Sequence, residues 1–346
     1  MKFKSWVSLI TFVLLALLIY FGWGQITKAW GLLGSVNILI WLLLIPVQLL
    51  SYFTTGEMMF SYLRSKGNIQ KVSRWKMTRI ALELNFVNHI LPSGGAAGFS
   101  YLGWVLHRYG VSAGRATIAQ IIRFVLTFIS FVTIVIISVL ILTFDHKINK
   151  TIAMVSAALI VVTLIAIFVL INVLNNHKRL IIFSGWLTRT VNGVARFFTR
   201  NKKKIILDIV HVEKFFTEIH TDYIEIMKDK KVLLRPFLWA VSSNILDVSL
   251  IWITFYALGD VVNPAMLFIA FGVSSILSIF AATPGGAGVY ETIMITFLAS
   301  SGVSADVAIA GTLLARATLL AGTVIFGYVF YQMTINKYGK DESNNI

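Results

Sequence analysis

An all-α integral membrane protein is what this sequence predicts: a polytopic helical bundle of two inverted repeats, each with a re-entrant helical hairpin broken at a proline-glycine turn. Three observations carry the prediction. Of 346 residues, 57% are hydrophobic and 13% charged, with a mean hydropathy of +0.81, whereas soluble domains are about 25% charged. Several uncharged stretches reach the ~18–20 residues that a helix needs to cross hydrocarbon. One glycine-containing turn also occurs twice, at equivalent places in the two halves.

Residues 5–22, 34–55, 124–144, 151–174 and 232–259 read as spanning helices, interrupted only by Arg235 at one edge and by Asp247. Lys2 and Lys4 precede the first run, which is longer than a signal-peptide core and has no small-residue cleavage site. A retained first helix is therefore expected. There is no cysteine, which removes disulfides, thiol chemistry and cysteine-ligated metals.

The duplication is specific. Pro92-Ser93-Gly94-Gly95-Ala96-Ala97-Gly98 precedes Gly110-Val111-Ser112-Ala113, and Pro284-Gly285-Gly286-Ala287-Gly288 precedes Gly302-Val303-Ser304-Ala305. Proline and tetrapeptide are 18 positions apart in both copies, and the copies are 192 residues apart. Each then reaches one arginine in an apolar run, Arg123 and Arg316. Paired helix breaks in corresponding halves of a membrane protein point to a binding site between the halves.

The net charge of +15 is concentrated in two blocks, residues 56–79 and 175–231. Such blocks mark the cytoplasmic face and can hold anionic head groups. Because this bias accounts for the charge and no nucleic-acid motif is present, DNA is not expected as a partner. With Lys2 and Lys4 inside, two helices return the chain to the first block, and 124–144 followed by 151–174 delivers the second. Residues 80–115 then enter and leave on one side, because twelve residues either side of the turn rise only about 18 Å, short of the ~30 Å core.

The second half repeats this upside down. Residues 261–301 start and finish outside, and a last helix, about 305–333, ends inside. Residues 264–282 are nonetheless long enough to cross completely, which leaves their path open. Both termini are expected in the cytoplasm and the chain in the plasma membrane, as a single domain: repeat one about 34–144, a cytoplasmic linker about 175–231, repeat two about 232–335. In the linker, Phe197, Phe198, Ile205, Ile206, Ile209, Val212, Phe215, Phe216 and Ile219 recur at helical spacing among charges. They fit amphipathic helices at the interface or a linker packed on the bundle.

Leu-Pro-Ser-Gly-Gly after Asn88, with Arg123 downstream, and Thr-Pro-Gly-Gly-Ala-Gly-Val-Tyr-Glu at 283–291, with Arg316 after Leu313 and Leu314, resemble the lysylphosphatidylglycerol synthase transmembrane family. The similarity covers roughly residues 5–335. It implies a multihelix domain that moves lipid across the bilayer. Full-length members join this domain to a soluble one that transfers an aminoacyl group from tRNA to phosphatidylglycerol. Since the chain stops at Ile346, that soluble domain is expected to be absent and the chain alone not to be an enzyme.

Ionisable groups inside apolar segments are costly and are functional candidates by default; here they are Glu83, His89, Arg123, Asp247, Glu291 and Arg316. A guanidinium forks well onto phosphate oxygens, so Arg123 and Arg316 are candidates for a lipid phosphate. The alternative is that each pairs with an internal carboxylate, as Arg316 with Glu291, and staples helices. Glu291 either complements a helix dipole or holds a cationic aminoacyl group. Asp247 with Asn244, at i and i+3, is a similar candidate.

Asn85, Asn88 and His89 share a face leading into the first turn and can satisfy backbone freed by Pro92. Gly94, Gly95, Gly98, Gly285, Gly286 and Gly288 let backbone approach a head group or another helix. The histidines have no metal-ligand spacing, and no cofactor or metal is expected.

The leading function is translocation of an anionic or aminoacylated phospholipid such as lysyl-phosphatidylglycerol. The alternatives are a phosphatidylglycerol lysyltransferase and an ion-coupled small-solute transporter with Asp247 and Glu291 carrying protons. The expected partners are the bilayer, anionic phospholipids and a separate soluble aminoacyltransferase; an oligomer is compatible with the sequence.

Overall fold

The computed structural model describes residues 20, 24, 27, 28, 30, 31, 33–91, 96–146, 148–198, 208–278, 281, 283 and 286–338. The predicted helix 5–22, apart from Tyr20, and the turn residues Pro92, Gly94, Gly95, Pro284 and Gly285 lie outside them. The described residues are helical, with no strand. Five helices are long and apolar enough to span a membrane: α1 (Ile38–Ser65), α4 (Ala113–Phe144), α5 (Lys150–Asn175), α8 (Leu234–Ala257, entered through a 3-10 turn at Lys230–Leu233) and α11 (Ala305–Tyr338). The chain is a multi-pass membrane protein.

Between them lie α2 (Arg74–Ile90), α3 (Ala96–His107), α6 (His177–Phe198), α7 (Ile209–Lys228), α9 (Pro264–Ser278) and α10 (Val289–Ser300). Helices α2, α3, α9 and α10 have 17, 12, 15 and 12 residues, or about 25, 18, 22 and 18 Å, each short of the ~30 Å core. Within the run at 264–282, the described helix α9 has 15 residues, fewer than a full crossing takes. Helix α2 packs against α3, and α9 against α10.

The repeated tetrapeptide folds alike in both copies. Gly110 and Gly302 take φ of 74° and 100°, and the next N–H, of Val111 or Val303, donates to Leu106 O or Leu298 O at 3.2 and 3.0 Å. Helices α4 and α11 then start at the alanine. A left-handed glycine closing a helix satisfies carbonyls that the helix leaves orphaned. Substituting alanine at either position is expected to cost about 1 kcal/mol, read as a lower thermal midpoint in detergent, whereas Gly103→Ala, with open space around it, leaves the midpoint unchanged or raises it.

Helix α1 departs from the expected pattern. It runs through Gly56 to Ser65, so the expected basic loop at 56–79 shrinks to the turn before Arg74. Buried Glu57 pairs with Arg64 at 2.5 Å, and a Cβ at Gly56 would sit 3.3 Å from that of Ala81. Polar residues satisfied inside a bundle do not end a helix.

Helices α1 and α8 run antiparallel: Asn37 N–H donates to Ala257 O (2.8 Å), Ser51 meets Asp247 and Thr55 meets Ser243. In the linker, α7 packs onto the bundle through Phe216, Ile219, Tyr223 and Ile226, and Arg115 grips Asp222 with two nitrogens at 3.0 and 3.1 Å. Lys66, 2.6 Å from Glu225, holds that carboxyl below the usual range.

Two apolar clusters form the core. One joins α2, α3, α7 and the adjoining ends of α1 and α4. The other joins α5, α8, α9, α10, α11 and the far part of α4. Outer faces of α4 and α5 leave Ile137, Leu140, Val162, Ile165 and Phe168 at least half exposed, as a lipid-facing surface requires.

Candidate functional site

A cavity of about 370 Å³ touches both clusters: Met58 of the first and Ile251, Tyr290, Met294 and Ala315 of the second are in its wall. That volume is within the ~300–1,000 Å³ of ordinary ligand pockets. Arg123 and Arg316 both line it. They stand ten and eleven residues into α4 and α11, about 15 and 16 Å along those helices.

The two arginines differ in their partners. Among the described residues Arg123 forms no ion pair, and its buried Nε has no hydrogen-bond partner; its guanidinium lies over Phe124, 4.7 Å from the ring centre. Arg316 Nε donates to Glu291 Oε1 at 3.1 Å, and the guanidinium lies 4.6 Å from the Tyr290 ring centre. Glu291, in the first turn of α10, also accepts the Gly288 N–H at 2.6 Å. Arg316 thus joins α11 to α10 through Glu291 and lines the cavity as well. Gly286 and Gly288, at φ of 71° and 88°, deliver the chain into α10, and a Cβ on Gly286 would sit 2.5 Å from that of Ser278.

Asp247 lines the cavity and accepts a hydrogen bond from Ser51 Oγ at 2.5 Å. His89 and Asn85 line it too, with His89 Nδ1 2.9 Å from Asn85 O. The other candidates are elsewhere. Asn244 is turned to α4, donating to Thr127 O (3.0 Å) and Ser130 Oγ (2.6 Å), and is not in the cavity wall with Asp247. Asn88 abuts Gly98, where an added Cβ would fall 2.2 Å from its Oδ1.

Glu83, with no exposed surface, is a node between helices. It accepts from Arg79 Nε (2.9 Å), Tyr101 OH (2.5 Å) and Thr334 Oγ1 (2.7 Å).

The cavity also holds residues that sequence reasoning passed over. Gln48 donates to Tyr52 OH (3.1 Å) and Leu319 O (2.9 Å), and Tyr52 OH meets Thr323 Oγ1 at 2.5 Å. Ser51 with Thr55, and Ser243 with Asp247, are polar i, i+4 pairs within the long hydrophobic stretches, a signal that could have found them. The arrangement offers a fork donor without an acid partner, a second fork held by a carboxylate, a further carboxylate and a hydroxyl-rich wall, in a setting of low polarity. It suits a compact anion and its counter-charge.

The family model described as "Lysylphosphatidylglycerol synthase TM region" matches residues 5–327. The chain belongs to this family. A "UPF0104 membrane protein" of Methanothermobacter thermautotrophicus is 23% identical to it over 232 residues, which are 66% of this chain and 67% of that protein.

Proposed function

We propose that this protein translocates an anionic phospholipid, plain or aminoacylated, by receiving its head-group phosphate in the cavity between two inverted halves while the acyl chains stay in lipid. The single observation that carries the reading is that Arg123 and Arg316, from different halves, line one cavity. Arg123 is ready to take an anion, because no acid occupies it among the described residues. Arg316 takes one by loosening its hold on Glu291.

Support for inverted halves comes from the like turns at Gly110 and Gly302, from the short pairs α2–α3 and α9–α10, and from the cationic blocks. In this reading each short pair is a re-entrant hairpin, one entering from each face, and both termini are cytoplasmic. Opposed hairpins give a path that opens to either leaflet in turn around a fixed site.

The test is reconstitution into vesicles containing fluorescent phosphatidylglycerol, with a membrane-impermeant reductant reporting the outer leaflet. Folded protein is expected to let the inner-leaflet pool reach the reductant faster than protein-free vesicles do. Equal rates for phosphatidylglycerol and its lysylated form, with and without protein, would defeat the proposal.

A further inference from the structure

Across the α1–α8 contact, Ser51 and Thr55 oppose Asp247 and Ser243 on the cavity wall. Ser51 Oγ donates to Asp247 Oδ1 at 2.5 Å, and Thr55 Oγ1 and Ser243 Oγ are 2.9 Å apart. One carboxylate and three hydroxyls thus stand within one helical turn on two facing helices. Among the described residues Asp247 forms no ion pair, and a serine hydroxyl brings it no charge. A carboxylate inside a membrane without a counter-charge is costly. Oxygen donors of this kind suit a small hard cation, and midplane sites of this sort hold coupling ions in transporters.

The charges facing this group set what it does. The cavity presents Tyr52 on α1, His89 on α2, Arg123 on α4, Tyr290 on α10 and Arg316 on α11, while α9 contributes only Phe271, Ser275 and Ser278. Glu291 joins them through Arg316. With the tyrosines and His89 neutral, two guanidiniums balance two carboxylates, and the protein groups around the cavity carry no net charge. A bound phosphodiester, with its single negative charge, leaves one in excess. One monovalent cation at Asp247 restores neutrality.

We infer that Asp247, with Ser51, Thr55 and Ser243, is a monovalent-cation site, filled by H⁺ or Na⁺, and that lipid phosphate and cation cross together as a neutral pair. This inference rests on the translocation reading above and adds its coupling. Binding of either charge favours the other, by the reciprocity of linked sites, so each cation gradient that the site accepts moves lipid in the same direction.

The experiment measures the leaflet ratio of fluorescent phosphatidylglycerol at equilibrium in vesicles holding the full chain, under a tenfold pH gradient, a tenfold sodium gradient, or a potassium-diffusion potential alone. For one cation per lipid, the ratio shifts about tenfold, the equivalent of about 1.4 kcal/mol, toward the side of low cation concentration. The shift follows the pH arm if the cation is H⁺ and the sodium arm if it is Na⁺. The potential alone shifts nothing, because the pair is neutral. Asp247→Asn loses the gradient response.

Wild-type protein that equilibrates the probe without responding to either gradient refutes the coupling and leaves translocation standing. A shift driven by potential alone, or an equal gradient response in Asp247→Asn, refutes it as well. Wild-type protein that moves no probe under any condition refutes translocation and the coupling with it. The wild-type arms need no variant to fold.

Discussion

Arg123→Ala is expected to slow phospholipid translocation about tenfold to a hundredfold while leaving the protein folded. A hydrogen bond to a charged group contributes about 1.5–3 kcal/mol, and each 1.4 kcal/mol is a factor of ten. The loss falls on transport because Arg123 has no acid partner among the described residues to be stranded, only the Phe124 face 4.7 Å away. Arg123→Lys keeps the charge but not the planar fork, so its rate falls between wild type and alanine. Arg316→Ala does two things at once, since it also leaves Glu291 without its cation, and is expected to lower both rate and thermal midpoint. The measurement is the leaflet-exchange rate at matched protein density, with the detergent melting midpoint as control. Wild-type exchange by Arg123→Ala would remove the guanidinium from the transport path.

The contrast between the arginines bears on how the site cycles. Under the proposed translocation, a phosphate would meet Arg123 first, because Arg316 is restrained by Glu291, and would compete with Glu291 for Arg316 afterwards. Binding tied to the breaking of a pair on α10–α11 couples occupancy to the helices that follow the second turn. A ligand shifts a conformational equilibrium only through such differential contacts.

Much of this architecture was legible in the sequence, for a physical reason. Hydrocarbon admits almost no charge, so uncharged runs of spanning length reveal α1, α4, α5 and α8 with little help from context. The two arginines were legible because the duplication places them 193 residues apart, one position off the 192 of the turns. Legibility failed where polar groups are satisfied within the protein. The continuation of α1 past Glu57 depends on Arg64 and on the packing of Gly56 against Ala81, neither of which leaves a mark in hydropathy.

Asp247 and Asn244 part for a geometric reason. Residues at i and i+4 lie closer to one line along a helix than those at i and i+3. Ser243 therefore shares the cavity with Asp247, while Asn244 turns to Thr127 and Ser130 of α4. The same geometry separates Asn85 and His89, which reach the cavity, from Asn88, which meets Gly98. The hydroxyls of Ser51 and Thr55 were passed over, despite their i, i+4 spacing, because serine and threonine in a spanning helix usually satisfy their own backbone; the facing helix shows otherwise.

Glu83→Ala is expected to be the most destabilising single substitution among the candidate residues. Breaking a buried ion pair from one side costs about 3–5 kcal/mol, and here the lost carboxylate also takes away the acceptor of the Tyr101 and Thr334 hydroxyl protons. Three helices lose their common anchor, since Arg79 is on α2, Tyr101 on α3 and Thr334 on α11. Arg79 retains Phe330 O (3.2 Å) and Thr334 Oγ1 (3.1 Å) through Nη2, which keeps its head in place without neutralising it. Glu83→Gln preserves an acceptor for part of this network and is expected to melt between wild type and alanine. The order wild type, Gln, Ala in detergent melting midpoints checks the assignment. Because Glu83 is not in the cavity wall, Glu83→Gln protein that remains folded should exchange lipid at close to the wild-type rate. A translocation defect in folded Glu83→Gln as large as that of Arg123→Ala would instead make Glu83 part of the path.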